Sequence, residues 1–252
     1  LYGAPLQGLY TQFTGALFIE NIYEKIKYLA LRSQSNFIKK IADYIEFGFE
    51  NNKDEKINET FKSIGYEKVI RSSLIINLEA NKDELLKSYT GRARNMIKKS
   101  VKKDVKVYTV NPNKEWIKKY YSMLKDTFIR QGAICPHRIN FFYELINLHS
   151  SNMTLFLEAK KDGHFIAASI FLIDRRRIIY LSGTSNLEGM QTAATSALQY
   201  YAMLYGIQNG YTRYDMGGLG IPSIDKFKLS FGGDVYYQDR WILKSKLFSL
   251  IE

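Results

Sequence analysis

Three apolar segments in the second half of the chain constrain its fold more than any other feature of the sequence. They cover residues 153–160, 164–174 and 177–184. The first connection is Lys161-Asp162-Gly163, and the second is the exposed turn Arg175-Arg176-Arg177. Connections as short as these join antiparallel neighbours. The sequence therefore predicts a three-stranded antiparallel meander.

Helices are predicted on both sides of this meander. Apolar residues at helical spacing predict an amphipathic helix over residues 20–48, and Asn81-Lys82-Asp83-Glu84 has the form of a helix N-terminus. A long helix is predicted over 190–209, ended by Asn209-Gly210. Further helices are predicted over 91–103, from Asn113, and over 138–149 and 223–230, and further strands over 69–78, 105–110, 211–216 and 234–243. This order indicates an α/β (α+β) protein with a mixed sheet flanked by helices.

The length and the cysteine content limit the class of protein. The chain has 252 residues, enough for one large domain or two modest ones, and 46% of them are hydrophobic. Its one cysteine, Cys135, cannot form an intramolecular disulfide, which fits a reducing compartment. The sequence shows neither a signal peptide nor an apolar run of the roughly 18–20 residues that span a membrane. We therefore expect a cytoplasmic protein, placed at the inner membrane face if its substrate is lipid-linked.

The formal net charge of +11 favours a phosphate-rich partner. Nucleic acid, a nucleotide-linked substrate and an anionic membrane surface all fit this charge. For each single lysine, a solvated helix surface is an equally acceptable interpretation. The densest basic cluster, opposed only by Asp104, consists of Arg92, Arg94, Lys98, Lys99, Lys102, Lys103 and Lys106.

Several classes of chemistry are disfavoured by the motifs that the sequence lacks. Its three histidines have no metal-ligand spacing, so no metal site is predicted. Neither a Walker A motif, nor a dinucleotide fingerprint, nor a Gly-x-Ser-x-Gly elbow occurs. Cys135 and His137 flank a proline, which favours a loop over a nucleophile and base pair. Nucleotide hydrolysis and hydride transfer are therefore poor candidates.

Two glycine-rich segments near the C-terminus carry the strongest chemical signal. The first is Tyr211–Gly218, in which Asp215 precedes Gly217 and Gly218, and the second is Lys226–Gly233. In the second segment Lys228 lies between two phenylalanines, where a positive charge would act strongly on a developing anion. Asp215 would hold this lysine or accept a proton. The alternatives are a solvated lysine and an aspartate that only caps a turn.

The order of these elements and motifs resembles the FemAB-like branch of the GNAT acyltransferase superfamily, which includes the aminoacyltransferases that form peptidoglycan bridges. The resemblance spans roughly Leu74 to Leu243. The motifs that carry it are Leu74–Leu78, Arg92–Lys99, Thr127–Gly132, Ile179–Ser185, the Asp215 segment and Phe227–Gly233. Each motif is weak alone, and the ordered set is specific.

The resemblance implies an organisation into domains. Relatives of this kind have two GNAT-like domains, and their last strand returns from the second domain to complete the first. Residues 1–72 would then form a shortened first domain that is completed by residues 233–252, and residues 73–232 would form the second. Tyr10, Thr11 and Gln12 are candidate remnants of an acceptor site in the shortened domain.

The resemblance also implies the residues of an active site. Lys228 corresponds to the Phe-Lys lysine of the family and is the predicted catalytic residue, together with Asp215. Arg130 and Thr127 match a segment that binds substrate phosphate, although a surface ion pair is the alternative for Arg130. The other predicted substrate-binding residues are Tyr180 of the meander, Arg94 and Phe231.

The implied function is an acyl- or aminoacyltransferase that forms an amide bond on a cell-wall precursor or another envelope glycan. The expected acceptor bears a phosphate, as in a nucleotide- or lipid-linked precursor, and no cofactor is expected to be bound permanently. The donor is expected to be an aminoacyl-tRNA or an acyl-CoA, although residues 186–194 lack the usual pyrophosphate loop for CoA. The alternatives are an acyl-CoA-dependent N-acyltransferase of polysaccharide biosynthesis and a non-catalytic protein that binds nucleic acid or anions.

Overall fold

A computed structural model of the chain describes residues 24–49, 54–79 and 81–251. The chain divides into two compact units. Unit 1 takes the chain up to Ser73, together with Gly218–Gly220 and Val235–Glu252, and unit 2 takes Leu74–Gly217 and Ile221–Asp234. Tyr10, Thr11 and Gln12 lie outside the described residues. That residues 1–72 and 233–252 form a shortened GNAT-like domain stays a prediction.

Helices and strands alternate along the described residues. The helices are α1 (Glu24–Ile38), α2 (Glu55–Ile64), α3 (Lys82–Ser88), α4 (Gly91–Lys102), α5 (Lys114–Arg130), α6 (Ile139–His149), α7 (Leu187–Gln191), α8 (Ala194–Gln208), α9 (Pro222–Leu229) and α10 (Lys246–Ile251). The strands are β1 (Tyr44–Phe49), β2 (Glu67–Asn77), β3 (Lys106–Thr109), β4 (Thr154–Lys161), β5 (His164–Asp174), β6 (Arg177–Ser185), β7 (Arg213–Leu219) and β8 (Asp234–Lys244).

Unit 1 is built on strands β1, β8 and β2, in that order, with β1 and β8 antiparallel. Helices α1 and α2 pack together, and α2 begins at the N-cap Asp54 and ends at the left-handed Gly65. The core of this unit is aromatic: the ring of Phe61 stacks on Trp241 at 5.5 Å and meets Tyr66 edge-on at 4.9 Å. Such pairs stabilise a small core beyond the area they bury.

The predicted helix over residues 20–48 is wrong beyond Ile38. Residues 20–23 lie outside the described part, α1 ends at Ile38, and Tyr44–Phe49 form β1. Ile45 and Phe47, two residues apart, are both buried in the core of unit 1. The apolar residues that suggested a single helix therefore belong to two elements, a helix with a period of 3.6 residues and a strand with a period of two.

Unit 2 contains the predicted meander. Its strands lie in the order β7, β6, β5, β4, β3. The pairs β3–β4, β4–β5 and β5–β6 are antiparallel. Strands β6 and β7 are parallel, so the sheet is mixed. The turn between β4 and β5 uses two positive φ angles, at Asp162 and Gly163, as a two-residue hairpin requires. The predictions of the meander and of a mixed sheet flanked by helices are confirmed.

Two bulges change the alternation of side chains in this sheet. In β5, Ala167 pairs with Ala159 but Phe165 pairs with Lys160, so Ile166 is the additional residue. In β6, Ser182 pairs with Ile170 but Tyr180 pairs with Phe171, so Leu181 is the additional residue. A bulge turns the following side chains toward the other face of a sheet and is common beside functional sites.

Helices cover the sheet of unit 2. Helix α8 packs on β4, β5 and β6 with α4 beside it, and α5 and α6 pack together over β6 and β4. The predicted helix over residues 190–209 is two helices, because Ala193 has a left-handed backbone with φ of 58°. Its predicted end is confirmed: α8 has Asn209 as its C-cap, and the next residue, Gly210, has φ of +75°.

Candidate active site at the separation of β6 and β7

The two parallel strands of unit 2 separate soon after they meet. Their ladder has three pairs, from Arg177↔Arg213 to Ile179↔Asp215. Beyond these pairs β6 continues to Ser185 and β7 to Leu219. Where two paired strands separate, their facing backbone groups can bind a ligand that has an amide or ester group.

Asp215 lies at this point of separation and is fully buried. Its Oδ1 accepts a hydrogen bond of 2.7 Å from the backbone N–H of Gly217. Gly217 has φ of +77°, a conformation that a residue with a Cβ adopts only with strain. The aspartate and the glycine together form a tight local turn within β7.

Arg177 is a cation close to the second oxygen of Asp215. Its Nη1 lies 4.0 Å from Asp215 Oδ2, and its Nη2 lies 2.9 Å from Asp174 Oδ2. Arg177 and Ile179 project to the same face of β6, and Ile179 pairs with Asp215, so the parallel register brings these charges together. The buried carboxylate is therefore compensated by hydrogen bonding and by a guanidinium.

Lys228 reaches the same point from helix α9, which begins with Pro222 at its first turn. The lysine is only 8% exposed although it carries a charge. A Cβ at Gly217 would lie 3.7 Å from Lys228 Nζ and 3.7 Å from the carbonyl oxygen of Tyr180. The ammonium, Gly217 and the backbone of β6 thus line one small space.

The electrostatic environment of Lys228 is a compromise between burial and charge. Burial lowers the pKa of its ammonium group, and the carboxylates of Asp225 and Asp215 partly oppose that shift. Desolvation is the larger effect, so the net shift is downward. A lysine with a lowered pKa is a common feature of catalytic sites.

Tyr180 shares the site through its backbone and supports it through its side chain. Burial raises the pKa of its phenol to about 12, so it stays protonated at neutral pH. A Cβ at Gly183 would overlap with Tyr180 Oη and with Ser169 Oγ. The phenol therefore lies over a glycine of its own strand, in a place that only a residue without a side chain leaves open.

Thr127 and Arg130 lie at the far end of β6. Arg130 Nη2 donates to the carbonyl oxygen of Ser185 at 2.6 Å and to Thr127 Oγ1 at 2.8 Å. Thr127 Oγ1 lies 2.7 Å from Thr184 Oγ1. These bonds tie the last turn of α5 to the end of β6 and leave the guanidinium at the surface.

Arg94 and Phe231 form a second group around Tyr89. Arg94 donates to the carbonyl oxygens of Tyr89 and Lys87 and so completes the end of α3. Phe231 is fully buried and meets the ring of Tyr89 edge-on at 5.2 Å. Both residues support the segment that carries Lys228, and a direct substrate contact of either one stays a prediction.

The structure thus places Lys228, Asp215 and Tyr180 together. Thr127 and Arg130 lie at the other end of β6, and Arg94 and Phe231 lie against Tyr89. Sequence reasoning missed Arg177, which was assigned to an exposed turn, and it undervalued Gly217. The parallel register of β6 and β7 reveals both, and that register is not visible in either strand alone.

Together, the mixed sheet and the separated parallel strands are those of a GNAT-type fold. The match of residues 151–237 to the family model for the FemAB family refines that class. Over those residues the chain is similar to the FemAB family, and its fold is of the GNAT type. No curated protein sequence matches it.

Solved structures agree with this fold. The crystal structure of FemX superposes with a TM-score of 0.71 at 18% identity, over 90% of this chain and 79% of that one. The structure of L-PGS from Bacillus licheniformis gives a TM-score of 0.57 at 12% identity, over 88% and 74% of the two chains. A tandem GNAT protein from the clavulanic acid biosynthesis pathway gives 0.59 at 9% identity, over 91% and 73%. Identities this low establish the fold alone.

Among the helices of the described residues, none combines the length and the apolar character needed to cross a membrane.

Proposed function

We propose that the protein transfers an aminoacyl or acyl group to an amine of a cell-wall precursor or another envelope glycan. The observation that carries this proposal is the buried Lys228 ammonium beside Gly217, where β6 and β7 separate. The match to the FemAB family and the similarity to FemX and to L-PGS support an aminoacyl transfer in the envelope.

The chemistry needs a cation at this place. The acceptor amine attacks the acyl carbonyl, a C–N bond forms, and the bond from carbon to the donor oxygen or sulfur breaks. The amine loses one proton, and the leaving group takes one. The tetrahedral intermediate carries an oxyanion. A hydrogen-bond donor held in a water-poor site stabilises this oxyanion and lowers the activation barrier by about 3–4 kcal/mol. Lys228 is the residue that we assign to this role.

Asp215 holds the geometry of the turn and sets the charge around the lysine. Its Oδ1 fixes the N–H of Gly217, and its charge raises the pKa of Lys228 against the effect of burial. Its place beside Lys228 also fits the proton acceptor that the attacking amine requires. An asparagine amide at this position could replace the hydrogen-bond acceptor, but it could replace neither the negative charge nor the proton acceptor.

The substitution Asp215→Asn should move the alkaline limb of the pH–rate profile to lower pH. The amide oxygen can still accept from Gly217, but the lost negative charge no longer raises the pKa of Lys228. Lys228 then loses its proton at a lower pH, and transfer falls earlier as the pH rises. The measurement is kcat/KM across the alkaline range. An unchanged limb with an unchanged rate would remove Asp215 from the site.

The proposed donor is an aminoacyl-tRNA, with an acyl-CoA as the alternative. Helix α4 supports the first choice, since its exposed side chains include Arg92, Lys98, Lys99 and Lys102. The segment before α8, where a CoA enzyme carries its pyrophosphate loop, instead contains the short helix α7. The decisive experiment incubates the full chain with aminoacyl-tRNAs or acyl-CoAs and with nucleotide- or lipid-linked muropeptides, and it detects the acylated product by mass spectrometry. Binding of tRNA without any product would favour a non-catalytic function.

Arg130→Ala should reduce the salt dependence of acceptor binding. The exposed guanidinium at the end of β6 is proposed to bind the acceptor's phosphate, and each phosphate contact contributes to the slope of log K against log salt. The measurement is the acceptor affinity over a salt series, with Arg138→Ala, another exposed arginine, as the control. If the slope of Arg130→Ala equals that of the unmodified chain, Arg130 only ties α5 to β6.

A phosphate-bearing acceptor and a tRNA donor also determine where the protein would work. Both are made inside the cell, so we place the protein in the cytoplasm. If the acceptor is lipid-linked, the protein works at the inner membrane face. Sedimentation with vesicles that contain the lipid-linked precursor, compared with vesicles that lack it, tests this part of the proposal.

A further inference from the structure

A cavity of about 650 Å³ opens in unit 2 between the first turns of α5 and the tip of the β4–β5 hairpin. It is lined by α5 residues that include Trp116 and Lys119 and by hairpin residues that include Glu158, Lys160 and Phe165. A volume of this size lies in the range that holds small organic ligands. None of the residues assigned to the transfer site lines it.

A nearly buried carboxylate of the cavity lining is that of Glu158, which is 9% exposed. Its Oε2 accepts a hydrogen bond of 2.9 Å from Trp116 Nε1, and its Oε1 lies 2.6 Å from Lys160 Nζ. An ionised carboxylate has acceptor sites for about four donors, so two remain for a ligand. Burying such a charge is unfavourable unless it is well paired, and the indole N–H and the Lys160 ammonium supply that pairing here.

The bulge at Ile166 contributes to the cavity. Because it shifts the register, Phe165 pairs with Lys160 and contacts Trp116 at 6.2 Å between ring centroids. The ring of Trp116 also stacks on Tyr120 at 5.4 Å, so one of its faces is covered. The aromatic groups therefore form walls rather than an open platform, and this disfavours stacking of a sugar or a base.

Both signs of charge are present along the lining. Glu158 and Glu115 are the acidic groups, and Lys119 and Lys160 are the basic ones. Lys160 is already held by Glu158, whereas Lys119 is exposed and makes no ion pair with any other described residue. Asn111 adds an amide at the rim. A ligand that matches this pattern has a cationic end for Glu158 and an anionic end for Lys119.

We propose that this cavity binds a short zwitterionic peptide, with its ammonium group on the Glu158 carboxylate and its carboxylate on Lys119. The volume holds a peptide of about two or three residues. Trp116 reports on occupancy, because its indole N–H bonds to the same carboxylate that receives the ammonium. The site rests on the cavity itself and is independent of the function proposed for Lys228.

The probe is L-alanyl-L-alanine, titrated into the full chain while the indole N–H signal of Trp116 is followed by NMR. Trp241→Phe assigns the signal, because the chain has two tryptophans. We expect saturable binding at about 1 mM or tighter. N-acetylation or C-terminal amidation of the probe should each weaken binding by about tenfold or more, since each removes one charge-assisted contact.

Two variants and a matched control locate the contacts. Glu158→Gln keeps an acceptor for Trp116 and should weaken L-alanyl-L-alanine binding by about tenfold without changing the affinity for its N-acetyl form. Lys119→Met lies at the exposed rim, so it tests the carboxylate contact even if Glu158→Gln fails to fold. Lys118→Met, one residue earlier and outside the lining, should bind as the unmodified chain does.

Three results would overturn the proposal. The first is the absence of saturable binding of L-alanyl-L-alanine. The second is equal affinity for the dipeptide and for its two blocked forms. The third is a response of Trp116 to inorganic phosphate but not to the dipeptide, which would make the cavity an anion site.

Discussion

Lys228→Met should abolish transfer while leaving the protein at least as stable as before. The substitution keeps an unbranched chain of similar volume and removes the buried ammonium, so we expect kcat/KM to fall by 100-fold or more, about 3 kcal/mol of transition-state stabilisation. The same change removes the cost of burying the charge and should raise the free energy of unfolding by about 1 kcal/mol near pH 7. A product assay and urea denaturation measure the two effects.

The pH dependence separates this explanation from a general loss of structure. The pKa of Lys228 is lowered in the folded protein, so between that pKa and about 10.4 the unfolded chain binds more protons. The stability of the unmodified chain contributed by this residue therefore rises with pH through that window, and the advantage of Lys228→Met should shrink there. Lys226→Met, an exposed neighbour in α9, should change neither quantity. Full transfer activity in Lys228→Met would refute the assignment.

Gly232→Ala should strongly destabilise the segment that follows α9. Gly232 has φ of +73°, and a Cβ there would lie 2.7 Å from the carbonyl oxygen of Ser88. This backbone atom is held in place, because Thr90 N–H, two residues later, donates to Ser230 at 2.9 Å. The left-handed strain and the clash together should lower the free energy of unfolding by about 3 kcal/mol.

Gly210→Ala is the matched control for this effect. Gly210 has nearly the same φ, +75°, but a Cβ there would meet nothing within 4 Å. Its loss of stability should be only about 1 kcal/mol, the strain of a left-handed alanine. Urea denaturation of both variants gives the difference, which measures the contact with Ser88. Equal losses in the two variants would mean that α9 moves to accommodate the methyl group.

The meander and the mixed sheet were predictable because they depend on local signals. Turn residues such as Asp162-Gly163 and the cap Asn81 act within a few positions of the chain, and they lie where the sequence placed them. The helix over 20–48 failed for the opposite reason. Residues beyond Ile38 have apolar side chains at both helical and strand spacing, and only their pairing with β8 decides between the two.

The candidate site was predictable in its residues but not in its arrangement. Lys228 and Asp215 stand in recognisable segments, yet their proximity depends on α9 returning across the end of the β6–β7 ladder. Arg177 could not be recognised, because a triple arginine in a turn is usually solvent-exposed. Arg94 was grouped with the basic surface of α4, whereas the structure uses it to end α3. Long-range register decides the positions of Lys228, Asp215 and Arg177, and a single sequence does not encode it visibly.

The bulge at Leu181 divides β6 into two halves, and the odd-numbered and even-numbered residues exchange faces of the sheet between them. Beyond it, Ser182 accepts from Tyr120 at 2.7 Å and Thr184 meets Thr127 at 2.7 Å, so both hydroxyls face α5. Leu181 is the additional residue, so deleting it would leave Ser182 opposite Ile170 and both hydroxyls toward α5, whereas one more inserted residue would turn them to the other face of the sheet. The length of β6 between Tyr180 and Ser182 therefore sets which face of the sheet its distal side chains occupy, and an insertion there would change all of them at once.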